Sequence, residues 1–243
     1  MTAKLFDKEQ VRRRNGQRGG MPVRDELTRR LQERLGEVKG GRQCVLHVTR
    51  EDEVDALTGD EAYDAVAVDM VLPLVEDVPL FMYRCTQALR GDGLLLATTL
   101  GTESFREFRD AWAEVGEVGG HVVPQTDVRE AGALLQKLKL ALPVVDRDML
   151  TVTFPNFDAL YDGLRAHGAG NFFTGRRQGL VTPSKLQRMQ DAYTRMFARP
   201  DGRLPVTVEV IYLHGFKPDI AQPVALKRGS GKVSLVRILG DNN

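Results

Sequence analysis

The chain is poor in the residues that make specialised chemistry easy to read. Among 243 residues there are two cysteines, Cys44 and Cys85, and four histidines. Two cysteines cannot build a disulfide scaffold or a cysteine-rich zinc site. His47, His121, His167 and His214 form no i, i+4 pair and have no cysteine partner, so the sequence offers no metal motif. No run of 18 apolar residues occurs, so no transmembrane helix is expected. The first residues, MTAKLFDKEQVRRRNGQ, lack an apolar core of the secretory type. Net charge is only +1, which gives no global electrostatic case for a nucleic-acid partner. Ser104 sits in no G-x-S-x-G context, so a serine hydrolase is unsupported. The expectation is a cytoplasmic protein without metal or nucleic acid.

What is present is an ordinary globular balance, with 42% hydrophobic and 28% charged residues. The charge is unevenly placed. Residues 1–42 hold twelve Lys/Arg against six Asp/Glu, and residues 43–64 hold one Arg against seven acids. Either the basic arm folds back on an acidic face, or it meets an acidic partner, or RRR at 12–14 and RR at 29–30 are solvated helix faces.

Hydrophobic spacing supplies the elements. Val23, Leu27, Leu31, Leu35 and Val38 recur at three and four, an amphipathic helix stopped by the glycines at 40 and 41. CVLHV (44–48), AVAVDMVL (65–72) and LLLATTL (94–100) are consecutive apolar runs, as strands buried on both faces require. LTVTF (150–154) and VTVEVIYLHGF (206–216) are two further strands. Helices are expected over 77–89, over 102–115 behind an opening cap, over 126–138 capped by Thr126, over 157–168, and over 182–197. The last has Thr182 as cap and Pro183 at its first position. The alternation of strand and helix indicates an α/β fold with a mostly parallel sheet. The expected division is a basic helical arm (1–42), an α/β domain (43–220) with a helical cap or substrate-side insertion (155–200), and a tail (221–243).

Three stretches carry a resemblance. They are YDAVAVDMVLPLVEDVPLFMYRCTQALRGDGLLLATTLGTESFREFRDAW, VPQTDVREAGALLQKLKLALPVVDRDMLTVTFPNFDALYDGLRAHGAGN and LVTPSKLQRMQDAYTRMFARPDGRLPVTVEVIYLHGFKP. An Asp-initiated strand, a D-x-P helix, a G-D-G turn and a hydrophobic strand resemble the fourth and fifth strands of class I S-adenosylmethionine (SAM)-dependent methyltransferases. With KLFDKEQVRRR at the start, the chain resembles one branch of that superfamily. The branch contains the malonyl-acyl-carrier-protein methyltransferase of biotin synthesis and the methyltransferase-like complex I assembly factor, an arginine hydroxylase. The resemblance implies a Rossmann-like class I methyltransferase fold, its mostly parallel sheet closed by an antiparallel final strand, and SAM as cofactor.

The sequence departs from that pattern where the family holds SAM. A glycine-rich turn after the first strand lets backbone approach the ligand, and an acid ending the second strand takes the ribose hydroxyls. Here CVLHV is followed by Thr49-Arg50-Glu51-Asp52-Glu53, with no glycine until Gly59. Fourteen residues separate Val48 from Tyr63, room for one crossover but not for two further strands, since a βαβ unit takes about 30 residues. The sheet is therefore expected to be shortened by about two strands. CVLHV is then either the first strand joined directly to the fourth, or the third strand with the opening unit gone.

Candidate site residues follow. Asp69 ends the AVAVD strand where the resemblance places the mouth of the cofactor cleft. Glu51, Asp52 and Glu53 are stand-ins for the missing ribose acid, with Glu51 and Asp52 carried forward beside Asp69 as cofactor-site candidates. Phe172, Phe173, Arg176 and Arg177 lie in a Gly-rich, aromatic and basic loop that the resemblance places over the substrate side. Asp64 reads as structural, and His47, inside an apolar strand, as a core histidine. The functional expectation is a methyltransferase-like protein with a degraded cofactor site, a pseudoenzyme acting as an accessory or assembly factor through a protein partner. The alternative is an active SAM-dependent methyltransferase on an acyl-carrier or protein substrate. A homo-oligomer that covers the shortened sheet edge is also open.

Overall fold

Apolar runs too short for helices, punctuated by capped amphipathic segments, condense into one mixed sheet. In a computed structural model the described residues are 7, 9, 22–38, 42–55, 61–117, 121–166 and 181–219. In chain order the elements are helix α1 (Pro22–Glu37), strand β1 (Val45–Val48), the single-turn helix α2 (Asp52–Asp55) and strand β2 (Tyr63–Val68). Helix α3 (Val78–Ala88), strand β3 (Leu89–Leu100), helix α4 (Arg106–Glu114) and helix α5 (Val128–Lys137) follow. Strand β4 (Ala141–Phe154), helix α6 (Phe157–Ala166), helix α7 (Pro183–Phe197) and strand β5 (Leu204–Phe216) complete the fold.

The strand order is β1-β2-β3-β5-β4. β1, β2 and β3 are parallel, and β5 runs antiparallel to both β3 and β4. Four strands thus share one direction and the final one opposes them, as the sequence indicates. β1 lies beside the strand that resembles the family's fourth. In a doubly wound sheet of order 3-2-1-4 that is the first strand's place. CVLHV is therefore the first strand, joined directly to the fourth, and its other edge meets no strand among the described residues.

Both faces of the sheet are covered. On one face, Leu27 and Leu31 of α1 are buried, Leu31 against Ala65, Ala67, Leu94 and Leu96. On the other, α3 and α5 set Phe81, Met82, Cys85 and Leu135 against Val66, Val68, Leu95 and Ile211. A third cluster packs Phe108 and Trp112 of α4 with Leu160, Met189 and Tyr193 of α6 and α7 over β5. Buried aliphatic and aromatic side chains of this size contribute about 1.5–3 kcal/mol each. Helix α3 starts on Asp77, whose carboxylate accepts from the Leu80 amide at 2.9 Å. Between Tyr63 and Ala65 the register to β3 slips, and the Gly91-Asp92-Gly93 turn bulges out with Asp92 at φ 61°.

Four local expectations need correction. Helix α5 is capped by Asp127, which accepts from the Arg129 amide, while Thr126 gives its own amide to the Leu100 carbonyl. Helix α4 begins only at Arg106, after Phe105 in a left-handed conformation (φ 59°), with no side-chain cap. Strand β4 begins at Ala141, nine residues before the LTVTF run. His47, on strand β1 at the end of the strand order, is exposed.

Candidate functional site

The sheet's carboxyl end is where an open α/β sheet of this type places its ligand. There, Asp69 follows the last residue of β2, and its amide donates to the Val48 carbonyl at the end of β1 (2.9 Å). The fold thus brings Asp69 beside the Thr49–Glu53 turn. Asp69 is 6% exposed. Its Oδ2 accepts from the Thr28 hydroxyl of α1 at 2.6 Å, and its Oδ1 is buried without a hydrogen-bond partner. The next residue, Met70, has φ 54°, and its amide donates to Thr98 Oγ1 at 3.0 Å.

In the turn after β1, the third of the three stand-in acids, Glu53, folds back on the backbone. Glu53 Oε2 accepts from the amides of Thr49 (2.7 Å) and Arg50 (3.1 Å), and Glu53 also takes the Thr49 hydroxyl. Asp52 is exposed and pairs with Arg50 at 3.2 Å. Glu51 is half-buried at the start of the same turn. The signal for Glu53 is its spacing, four residues after Thr49, which lets a short helix fold the carboxylate back over the turn.

A row of polar residues crosses the α1 face at the level of Asp69. Val68 pairs with Ala97, so Asp69 stands level with Thr98, which pairs with Tyr212, which pairs with Asp146. Arg34 of α1 covers this row. Its guanidinium carbon lies 3.9 Å from the centroid of the Tyr212 ring, and its Nη2 is 2.8 Å from Asp146 Oδ2 and 3.5 Å from Asp148 Oδ2. Arg30 reaches Asp148 at 3.3 Å. The Arg34 hydrogen bond holds the Asp146 carboxyl below its usual range, and burial pushes the Tyr212 hydroxyl up. A groove of about 390 Å³ runs along this contact, lined by Arg29, Arg30, Glu33, Arg34, Glu37 and Asp148.

The remaining candidates have structural surroundings. Asp64 accepts from the amides of Gln43 and Cys44 and pairs with Arg90 at 2.9 Å, tying the foot of β1 to that of β2. Ser104 donates to the Glu209 carbonyl and accepts from its amide, so its hydroxyl is a strand tie. Phe172, Phe173, Arg176 and Arg177 lie outside the described residues, as do His167 and the tail after Asp219. Among the described residues, no group of three or more His, Cys, Asp or Glu is placed to hold a metal ion, and no helix is long and apolar enough to cross a membrane. Among the described residues, charges of the blocks at 1–42 and 43–64 have partners elsewhere in the fold. Arg30 and Arg34 meet β4, while Glu61 pairs with Lys217.

No family model matches the chain. In sequence it is 32% identical over 157 residues to the malonyl-[acyl-carrier protein] O-methyltransferase of Halorhodospira halophila, covering 65% of this chain and 53% of that protein. It is 28% identical over 199 residues to the mitochondrial arginine-hydroxylase NDUFAF5 of Dictyostelium discoideum, covering 79% and 45%. The chain is methyltransferase-like. Both halves of the branch read from the sequence are among its relatives, and the methyltransferase-like chain spans about half the length of the curated proteins it matches. A solved SAM-dependent methyltransferase from Archaeoglobus fulgidus aligns over 80% of this chain and 94% of that one at 9% identity and a TM-score of 0.42.

Proposed function

We propose that this methyltransferase-like protein does not bind SAM in the family's ordinary way and acts as an accessory or assembly factor through protein binding. The observation that carries the reading is the direct passage from the first strand to the fourth. The second strand, whose acid would take the ribose hydroxyls, has no room in the fourteen residues between Val48 and Tyr63. Two further observations support it. The amides of Thr49 and Arg50, which would face an anionic ligand, are already taken by the carboxylate of Glu53. At the neighbouring strand end, Asp69 is bonded by Thr28 beneath α1. The residues of this mouth thus fit their own neighbours rather than a nucleoside.

One feature favours the second reading, an active methyltransferase with a rebuilt site. The unpaired Oδ1 of Asp69 is a buried acceptor that a donor-bearing ligand would satisfy. Thermal denaturation with and without SAM separates the two. A ligand bound by the native state must raise the midpoint, by about 2.7 kcal/mol of stability at a hundred times its dissociation constant. An unchanged midpoint at millimolar SAM is expected. A concentration-dependent rise rejects the proposal in favour of the rebuilt site.

A further inference from the structure

At strand β1 the sheet ends on a short row of backbone groups. The carbonyls of Cys44 and Val48 accept from the amides of Ala65 (3.3 Å) and Asp69 (2.9 Å), so the even-numbered residues of β1 turn their backbone towards β2. Backbone groups alternate along a strand, so Val45 and His47 turn theirs to the open side. The amides on either flank are taken. Gln43 donates to Asp64 Oδ2 at 3.2 Å, and Thr49 donates to Glu53 Oε2 at 2.7 Å. Two amides and two carbonyls, those of Val45 and His47, face outward, and no strand among the described residues meets them.

The row is complementary to itself. A second β1 laid antiparallel, with Leu46 of one copy opposite Leu46 of the other, sets each Val45 against a His47. Each of those two pairs exchanges two hydrogen bonds, and every outward group is satisfied. Sliding the copies by two residues, the step that keeps each side chain on its face, sets His47 opposite Gln43 or Val45 opposite Thr49, whose amides are already bonded. The side chains agree with the first register. Leu46, half-buried on the α3 face of the sheet, meets its own counterpart, and the exposed His47 lies beside the half-buried Val45 on the α1 face. The charges choose the direction. A parallel neighbour would set two acidic 51–53 turns side by side, whereas an antiparallel one brings each turn to the end of β1 that carries Arg42.

We propose that two copies of this chain pair antiparallel through β1, about a two-fold axis at Leu46, and join their five-stranded sheets into one continuous sheet. The inference goes beyond the protein-binding reading above and shares with it the place of β1 at the end of the sheet. Four hydrogen bonds and one short strand make a small interface, so a dissociation constant of roughly 1–100 µM is expected.

The test is sedimentation velocity of the full chain without SAM, so that its failure is separate from failure of the cofactor reading. A monomer–dimer equilibrium is expected across about 5–200 µM, and a monomer at the top of that range overturns the proposal. His47→Pro removes an outward amide on the open edge, where a proline breaks no bond to β2. With folding checked by circular dichroism, it is expected to weaken dimerisation at least about tenfold, and unchanged dimerisation of the folded variant overturns the proposal. Cross-linking decides the register without relying on that variant. In a Cys44→Ser chain, Leu46→Cys places two thiols on directly opposed residues with Cα atoms about 4.5 Å apart, within disulfide reach. His47→Cys in the same chain leaves its two copies about 8 Å apart, beyond reach. Cys85 is buried and takes no part. Mild oxidation is expected to give a disulfide dimer with Leu46→Cys at a yield at least about fivefold that with His47→Cys. No cross-link at residue 46, or equal yields at the two positions, overturns the proposal.

Discussion

Replacing Thr28 by valine should loosen α1 from the sheet by a measurable and separable amount. The hydroxyl donates to Asp69 Oδ2 at 2.6 Å, and Asp69 is 6% exposed with no partner on Oδ1. Valine keeps the shape and leaves the carboxylate buried with no side-chain donor. A hydrogen bond to a charged group is worth about 1.5–3 kcal/mol, and the half-exposed Thr28 places this one near the lower end, about 1.5–2 kcal/mol. For a chain of this size that is a fall in midpoint of roughly 3–8 °C. Asp69→Asn and the double variant complete a cycle, and the coupling energy isolates the pair from effects on either residue alone. Urea denaturation followed by circular dichroism supplies the four free energies. A coupling energy of about 1 kcal/mol or more is expected. A value within about 0.5 kcal/mol of zero would refute the reasoning, because α1 would then not be fastened over the end of β2.

Three other outcomes follow from the same structure. Burial pushes the Cys85 thiol up to about 12, while Cys44 is half-buried, so a thiol reagent at neutral pH should titrate one cysteine quickly and the second only on unfolding. Hydrogen bonds from Arg29 and then Arg30 lower the Glu26 carboxyl to about 2 from 4.5. A depressed carboxyl stabilises above its unfolded value, so the contribution of Glu26 should be intact above about pH 4.5 and fade as pH falls towards about 2, and Glu26→Gln should flatten that part of the stability profile. At Gly101 an added Cβ would run into the carboxylate of Glu209, which is buried and accepts from the Glu103 amide at 2.8 Å. Gly101→Ala should therefore cost about 1–3 kcal/mol, read as a lowered denaturation midpoint.

The fold was legible wherever one physical rule dominated. Consecutive apolar residues in β2 and β3 announced strands buried on both faces, and the spacing of Leu27 and Leu31 announced the helix that covers one of them. The first half of β4 was hidden because Asp146, Arg147 and Asp148 interrupt any alternation. These charges are tolerated on an edge strand, and two of them are met by arginines from α1, a contact more than a hundred residues away in sequence. His47 misled for the converse reason, since apolar neighbours in sequence do not show whether a side chain of an outer strand is covered. The fourteen residues between Val48 and Tyr63 leave room for one crossover, and among the described residues β1 pairs directly with β2. At the candidate site, Asp69 was readable from its place at a strand end. Thr28 and Arg34 were not, because what marks them is a partner brought close only by folding.

Equilibrium dialysis of labelled SAM against the full chain, at ligand concentrations up to about a millimolar, bears most directly on the account. With the first strand joined to the fourth and its turn bonded by Glu53, the account requires no saturable uptake. One nucleoside held per chain, displaced by S-adenosylhomocysteine, would contradict it.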